Sequence, residues 1–228
     1  MPMVDDFERV VFVPVIHTDK ESVDQVCKVV SATRPDVVAV ELDHDRYKQL
    51  LDNDDQKSER PSVTGDVAQD LLQQFAQLEN ALGDVTGSEA GEEMMAAIEE
   101  GRKIGAKVAL VDRPLKETMR QMMQIPVDEL YRLSSMMPDA AADIADGGAG
   151  KLFLMLKEEG AIEELLEQFR AEFPNLTRIL IEERDRYIAK ALHFILGDVD
   201  GRIVAVLGAG HIQGVKRALR DLLASDAS

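Results

Sequence analysis

The stretch Ile203-Val204-Ala205-Val206-Leu207-Gly208-Ala209-Gly210-His211 decides the fold, because it joins an apolar run of strand length to a glycine turn. An apolar run of five residues that ends at a glycine is typical of a strand. The glycines let the backbone turn sharply and present His211 at the end of the strand. A terminal helix is predicted over residues 215–223, so the unit is strand, turn and helix.

Three earlier apolar runs have the same design, since each ends on a residue that can hold a metal or move a proton. Residues 10–13 lead through Pro14 to His17, residues 37–40 lead to Glu41, and residues 108–111 lead to Asp112-Arg113. In a parallel sheet the carboxyl ends of the strands share one edge, which is where open α/β folds place their sites. The sequence therefore predicts a polar cluster at that edge.

Helical spacing between the runs gives the pattern βαβα, which favours a parallel sheet. We predict an α/β fold with a largely parallel central sheet flanked by helices, and a helical insertion at about 114–200 between the third and last strands. One long helix is expected over 176–196, with Ile179, Leu180, Ile188, Leu192 and Ile195 near one face. The 228 residues are interpreted as a single domain, 1–228.

The net charge of −17 argues against nucleic-acid binding, which needs a basic surface. Acidic residues spread along the chain indicate a solvated surface suited to high salt, and a halophilic source is expected. No apolar run is long enough to span a bilayer, and the only cysteine, Cys27, leaves no disulfide framework. A cytoplasmic protein, or a soluble domain cut from a membrane-anchored one, is the expectation.

The glycines of Gly208-Ala209-Gly210-His211-Ile212-Gln213-Gly214 also suggest a phosphate-binding turn. The spacing does not match the dinucleotide fingerprint, because the third glycine comes one residue late. No Gly-Lys-Ser/Thr is present either. The pattern therefore favours a turn that presents His211.

His17 and His211 occupy equivalent strand ends, with Glu41 and Asp112 at others, which favours a metal site or acid–base chemistry. Imidazole and carboxylate donors suit Zn, Mn, Co or Fe without selecting among them. We expect His44 and His193 to be ordinary loop, packing or surface residues. His44 follows Glu41 closely enough in sequence that it could instead contact and orient the Glu41 side chain.

Other charged residues have either a structural role or a role in the site. Arg46, five residues after Glu41, makes either a structural ion pair or a substrate clamp. Glu183 and Arg184 lie close to the boundary of a buried helix face, where a buried charge would need a partner. Glu93 belongs to an acidic group, with Glu92, Glu99 and Glu100, that by default forms solvated helix faces.

Several segments together resemble the TraB/PrgY family, whose relatives include the Tiki proteins. The resemblance begins with Pro14-Val15-Ile16-His17 and Arg34-Pro35-Asp36-Val37-Val38-Ala39-Val40-Glu41-Leu42 and covers nearly the whole chain. It continues through Gly91-Glu92-Glu93-Met94, Gly105-Ala106-Lys107-Val108, Asp112-Arg113-Pro114 and Glu183-Arg184-Asp185-Arg186-Tyr187, and ends on Gly208-Ala209-Gly210-His211-Ile212-Gln213-Gly214.

The resemblance implies a divergent metal-dependent hydrolase, with Mn or Co as the expected metal and Zn or Fe as alternatives. The family's two Gly-x-x-His motifs map to His17 and His211 as metal ligands, with Glu41 as a further ligand or base. Pro14 replaces the first glycine, and proline cannot supply its backbone freedom. The remaining residues at matching positions are Glu93, Asp112, Arg113, Glu183 and Arg184.

These observations lead to a hypothesis of a metal-dependent peptidase or related hydrolase acting on a peptide or protein. Glu93 or Glu183 would accept the proton, and Arg113 or Arg184 would stabilise the oxyanion. A protein that binds a peptide or partner without cleaving it is the main alternative, and a metal-free hydrolase is the third. Methionines at 122, 123, 136 and 137 form either an adaptable partner or homodimer surface or a core.

Overall fold

A computed structural model describes residues 6–16, 20–52, 91–143, 154–158 and 160–226 of the chain. Within these ranges four strands form one sheet in the order β1-β4-β2-β3, and every neighbouring pair is parallel. The strands are β1 (Val10–Val15), β2 (Val37–Val40), β3 (Lys107–Leu110) and β4 (Ile203–Gly208). The predicted α/β class with a parallel sheet is confirmed.

The last strand of the described chain lies in the middle of the sheet. Ile203 of β4 is in register with Val10 of β1 on one side and with Val37 of β2 on the other. At the other end of the strands, Val15 is in register with Gly208. The carboxyl ends of these strands therefore meet at one edge, as the sequence predicts.

Helices connect the strands and cover both faces of the sheet. Before β3 they are α1 (Lys20–Thr33), α2 (His44–Asp52) and α3 (Glu92–Lys103). The insertion between β3 and β4 contains α4 (Leu115–Met122), α5 (Val127–Asp143), α6 (Ala161–Glu172), α7 (Pro174–Thr177) and α8 (Glu183–Asp198). A 3₁₀ turn (Ala209–His211) and α9 (Ile212–Asp226) follow β4.

Alternation along β4 supplies both layers of the core. Ile203, Ala205 and Leu207 pack with apolar residues of α8 and α9, whereas Val204 and Val206 pack with those of α1 and α3. All five side chains are fully buried. Since successive side chains of a strand point to opposite faces, an uninterrupted apolar run is what a sheet covered on both faces requires.

The insertion has a small core of its own. Met122, Leu130, Leu133, Phe173 and Leu176 are among its buried residues. Met122 is fully buried, while Met123 and Met136 are exposed by 68% and 55%. Of these methionines, Met122 therefore fills the core, whereas Met123 and Met136 lie at the surface.

The expected long helix is interrupted by a π-helical turn, Arg178–Glu182, that separates α7 from α8. An α-helix advances about 100° per residue, so Ile179 and Ile188, nine residues apart, fall on opposite sides of an ideal helix. In the structure Ile179 packs into the core of the insertion and Ile188 packs against the sheet. The prediction that both lie near one face is wrong.

Within the described ranges, no helix combines the length and the apolar composition that crossing a bilayer requires.

Candidate functional site

The carboxyl edge of the sheet carries a dense group of buried charges. Glu41 follows β2, Asp112 comes two residues after β3, and His211 lies in the 3₁₀ turn after β4. Arg184, in the first turn of α8, reaches the same edge from above the sheet. The structure thus brings together four residues that the sequence identifies as site candidates.

Glu41 is at the centre of the group and is 4% exposed. Its Oε2 accepts the backbone N–H of Gly208 at 2.7 Å, which ties β2 to the end of β4. Its Oε1 accepts Nη2 of Arg184 at 2.5 Å and lies 3.3 Å from Nε2 of His211. One carboxylate therefore joins a backbone donor, a guanidinium and an imidazole.

His211 is held between two carboxylates. Its Nδ1 lies 2.7 Å from Oδ1 of Asp185, on α8, while its Nε2 faces Glu41. Both His211 and Asp185 are buried. Burial raises the pKa of the Asp185 carboxyl, and the hydrogen bond from His211 offsets that effect only in part.

Arg184 bridges Glu41 to Asp112. Its Nε and Nη2 donate to the two oxygens of Asp112 at 3.0 and 2.8 Å, and Nη2 also reaches Glu41. Burial alone would lower the pKa of the Arg184 guanidinium, but the charges of Glu41 and Asp112 outweigh it and raise the pKa. Arg184, whose side chain is 17% exposed, is therefore the cation that pairs with both buried carboxylates, Glu41 and Asp112.

Arg46, the predicted substrate clamp, is held by protein groups. Its Nε donates to Oδ2 of Asp43 at 3.0 Å, and its Nη2 contacts both Asp112 and the carbonyl of Glu41. Asp43 also caps α2, because its Oδ1 accepts the backbone N–H groups of Asp45 and Arg46. The geometry agrees with the ion-pair interpretation of Arg46.

Arg113 connects β3 to the insertion. Its guanidinium donates to Thr118 at 3.1 Å, to Gln121 at 2.6 Å, to Glu183 at 2.9 Å and to the carbonyl of Ile179 at 2.8 Å. These four acceptors satisfy most of the five N–H donors that a guanidinium carries. The contacts hold the π-helical turn, and with it the start of α8, against the sheet edge.

Glu183 and Glu93, the two candidate proton acceptors, lie in different environments. Glu183 accepts Arg113 through Oε2 and Arg178 through Oε1, and its side chain is 19% exposed. Glu93 is 0% exposed in the first turn of α3, so the prediction that it lies on a solvated face is wrong. Because Gly101 of α3 contacts Val38 near the start of β2, Glu93 lies towards the carboxyl end of that strand.

Of the other histidines, His44 and His193 lie in described parts of the chain, and neither belongs to the cluster. His17 lies outside the described residues, and β1 ends at Val15, two residues before it. His193 forms a surface pair with Asp226, with 2.8 Å between Nε2 and Oδ2, as expected for a histidine outside the site. His44 is exposed at the start of α2.

Asp185 is the residue that sequence reasoning misses. Its position inside a run of charged residues hides it, and only the adjacent Glu183 and Arg184 are singled out by their place near a buried face. One pattern could have found it: Gly214 is the third residue of α9, and a glycine inside a helix can mark a close approach by another group. The Asp185 carboxylate is that group, because a Cβ at Gly214 would overlap it.

Imidazole nitrogen and carboxylate oxygen are suitable donors for a divalent cation, and Nε2 of His211 and Oε1 of Glu41 converge at 3.3 Å. A hydrogen bond from the other imidazole nitrogen to a carboxylate is common in metal-binding histidines. The described residues alone contain no group of three or more His, Cys, Asp or Glu arranged for a metal. Two ligands therefore fit, and the described residues do not by themselves complete a metal site.

Arg184 occupies the position where a cation would approach Glu41. Arg184 also makes two hydrogen bonds to Asp112 that do not involve Glu41. The guanidinium therefore stays bound to Asp112 when its contact with Glu41 is lost. This arrangement is compatible with a divalent ion on Glu41 and His211.

Comparison with known proteins finds relatives whose names state no activity. It is 30% identical over 212 residues to an uncharacterised protein of Methanocaldococcus jannaschii, covering 90% of this chain and 52% of that protein. It is 24% identical over 243 residues to the TraB domain-containing proteins of Homo sapiens and Mus musculus, covering 94% of this chain and 64% of each. The chain thus spans between half and two thirds of the length of these relatives.

The family assignment rests on nearly the whole chain. A family model for TraB/PrgY/gumN matches residues 5–227, which include every strand described above and each residue of the edge cluster. The chain belongs to the TraB/PrgY/gumN family.

Proposed function

We propose that this chain is a hydrolase that cleaves peptides with a divalent metal ion bound at the carboxyl edge of its sheet. The observation that carries the proposal is the approach of His211 Nε2 to Glu41 Oε1, 3.3 Å apart in a buried site. Family membership supports the same site, because His211 and Glu41 lie in the segments that resemble the family.

His211 and Glu41 would hold the ion, and His17 is the third ligand proposed from the sequence. When bound, the ion supplies a Lewis acid that polarises the scissile carbonyl and acidifies water. Glu41 keeps one oxygen on the backbone of Gly208, which fixes the orientation of its carboxylate. Mn or Co is the proposed metal, with Zn or Fe as alternatives.

Arg184 is the residue best placed to stabilise the charge that develops on the carbonyl oxygen. Its guanidinium is fixed by Asp112, and its Nη2 lies at the centre of the cluster beside Glu41. A preorganised donor in a site that excludes water stabilises an oxyanion strongly. Arg113 is less suitable because its donors hold the insertion.

Glu183 is the better placed of the two proposed proton acceptors. Its side chain is 19% exposed and precedes Arg184, whereas Glu93 is fully enclosed. Proton transfer requires the acceptor to come within hydrogen-bond reach of the reacting water. Access to the substrate therefore favours Glu183. The proposal requires Glu183 to exchange its hydrogen bonds with Arg113 and Arg178 for one with the reacting water.

A peptide with neutral or cationic side chains is the proposed substrate. The chain carries a net charge of −17, so an acidic peptide would be repelled on approach while a basic one would be attracted. This dependence weakens as salt screens the charges.

The test measures metal content and peptide cleavage in three proteins: wild type, the double variant His17→Ala/His211→Ala, and His193→Ala. The last is a matched control, because His193 also pairs with an aspartate but lies at the surface. We expect stoichiometric metal and cleavage in wild type and control and neither in the double variant. Equal metal content in all three proteins, or wild-type cleavage in the presence of chelator, would overturn the proposal.

The second candidate is a protein that binds a peptide at this edge without cleaving it. The Arg184–Glu41 ion pair favours it, because the cluster balances Glu41 without a metal. A peptide that binds stoichiometrically, stays intact over long incubation and needs no metal would establish this function instead.

A further inference from the structure

Asp185 and His211 form a buried pair that joins α8 to the turn after β4. Their contact, Oδ1 to Nδ1, is 2.7 Å long, and each residue is 6% exposed. An ionised carboxylate only accepts hydrogen bonds, so with Asp185 ionised a contact of this length places a proton on Nδ1. In the neutral imidazole the other nitrogen, Nε2, then holds the lone pair.

The second imidazole nitrogen of His211, Nε2, faces the centre of the cluster. Nε2 of His211 lies 3.3 Å from Oε1 of Glu41, which also accepts a hydrogen bond from Arg184. A lone pair turned towards a carboxylate is repelled by it, unless a cation or a proton lies between them. Asp185 therefore fixes the ring in the orientation that leaves Nε2 available to a cation.

Gly214 makes room for this contact. A Cβ at position 214 would lie 2.6 Å from Cγ of Asp185 and would overlap Oδ2. Glycine is a poor residue inside a helix, costing about 1 kcal/mol relative to alanine. Its presence in the first turn of α9 is explained by the close approach of the Asp185 carboxylate.

We propose that Asp185 is a positioning residue that holds His211 through Nδ1, so that Nε2 is the nitrogen presented to Glu41 and to the metal. This inference rests on the proposed function for the role of the metal, whereas the assignment of the nitrogens rests on the geometry alone. A residue that only satisfied a buried histidine would affect stability and leave metal affinity unchanged.

The first test determines the protonated nitrogen of His211 by long-range ¹H–¹⁵N NMR on histidine-labelled protein, at a pH well above the usual histidine range. The chain has 4 histidines, which single substitutions assign. We expect the Nδ1–H form for His211 in wild type and loss of that preference in Asp185→Asn. Asp226→Asn, at the surface pair with His193, is the matched control and leaves the His211 spectrum unchanged.

The second test measures the dissociation constant for Zn²⁺, a diamagnetic probe, in wild type and Asp185→Asn. Substituting a group that orients a metal-binding histidine weakens metal binding about 10- to 100-fold. In a His211→Ala background, Asp185→Asn should change the affinity no further, because Asp185 acts through that ring.

Three results would contradict the inference: the Nε2–H form in wild type, an unchanged tautomer in Asp185→Asn, or equal Zn²⁺ affinity in both proteins. Failure of the proposed function is distinguishable from these. If wild type neither binds Zn²⁺ nor cleaves peptides, the metal site is wrong, while the tautomer measurement still decides how Asp185 holds His211. That measurement on wild type requires no variant to fold.

Discussion

Arg184 and Asp112 form a two-point ion pair across the edge of the sheet, with Nε to Oδ1 at 3.0 Å and Nη2 to Oδ2 at 2.8 Å. The Asp112 side chain is 2% exposed. Because Arg184 also contacts Glu41, it neutralises two buried carboxylates that belong to different strand ends. The stability of the edge and its proposed chemistry therefore depend on the same guanidinium.

Replacing Arg184 by methionine should destabilise the protein by about 3–5 kcal/mol, since it leaves the buried Glu41 carboxylate without its cation and Asp112 with Arg46 alone. Urea-induced unfolding followed by circular dichroism measures the change. Arg120→Met is the matched control, because Arg120 pairs with Glu117 at the surface and should matter by less than about 1 kcal/mol. Equal losses for the two variants would contradict the role of Arg184 in balancing the buried carboxylates.

Gly214→Ala should destabilise the protein by about 1–3 kcal/mol, because the new methyl group displaces the Asp185 carboxylate. Gly197→Ala is the control, since Gly197 is also helical and a methyl group there would meet no described atom within 4 Å beyond its chain neighbours and its own helix backbone. Alanine at position 197 should be neutral or stabilising by up to about 1 kcal/mol. Thermal unfolding compares the two, and a stabilised Gly214→Ala variant would show that the close approach is absent.

Arg9→Met should lower the free energy of unfolding by about 2 kcal/mol, the scale of hydrogen bonds from a charged donor. Arg9 donates to the carbonyls of Leu196, Val199 and Gly201, within and beyond the last turn of α8. A positive charge at a helix C-terminus adds to this effect. Arg9→Lys keeps the positive charge but lacks the planar set of N–H donors, so we expect an intermediate decrease in the free energy of unfolding, measured by chemical denaturation. An unchanged free energy of unfolding in both variants would contradict this role.

Cys27 should react slowly with iodoacetamide at neutral pH. Burial, and next the negative charge of Glu100, raises the pKa of its thiol, so less of the reactive thiolate is present. The rate should rise several-fold when the protein is unfolded, and Glu100→Gln should also accelerate the reaction of the folded protein. Mass spectrometry of the alkylated protein follows the rate. A folded protein that reacts as fast as the unfolded one would refute this.

The sheet and three members of the edge cluster are predictable because local patterns specify them. Apolar runs of strand length separated by helical spacing indicate a parallel sheet, and a parallel sheet brings its carboxyl ends together. Glu41, Asp112 and His211 follow directly from that rule. No knowledge of side-chain packing is needed to place them.

Asp185 and Glu93 depend on packing that sequence spacing describes less directly. A π-helical turn lies directly before the helix that carries Asp185, so the side on which Asp185 lies depends on how that turn packs and not on spacing alone. Glu93 lies four residues before Ala97 and eight before Gly101, small residues that mark the closely packed face of α3. That spacing indicates burial, but the abundance of acidic residues in the chain favours the solvated interpretation.

The central position of β4 determines when the edge cluster can form during synthesis. Glu41 and the Gly208 amide that binds it are separated by 167 residues. A nascent chain that has produced β1, β2 and β3 still lacks the strand that lies between β1 and β2. Contacts of such high sequence separation form late and slow folding, because loop closure must precede them. The cluster is therefore complete only after both α8 and β4 have been synthesised, because Glu41 takes its guanidinium partner from α8 and its backbone donor from the end of β4.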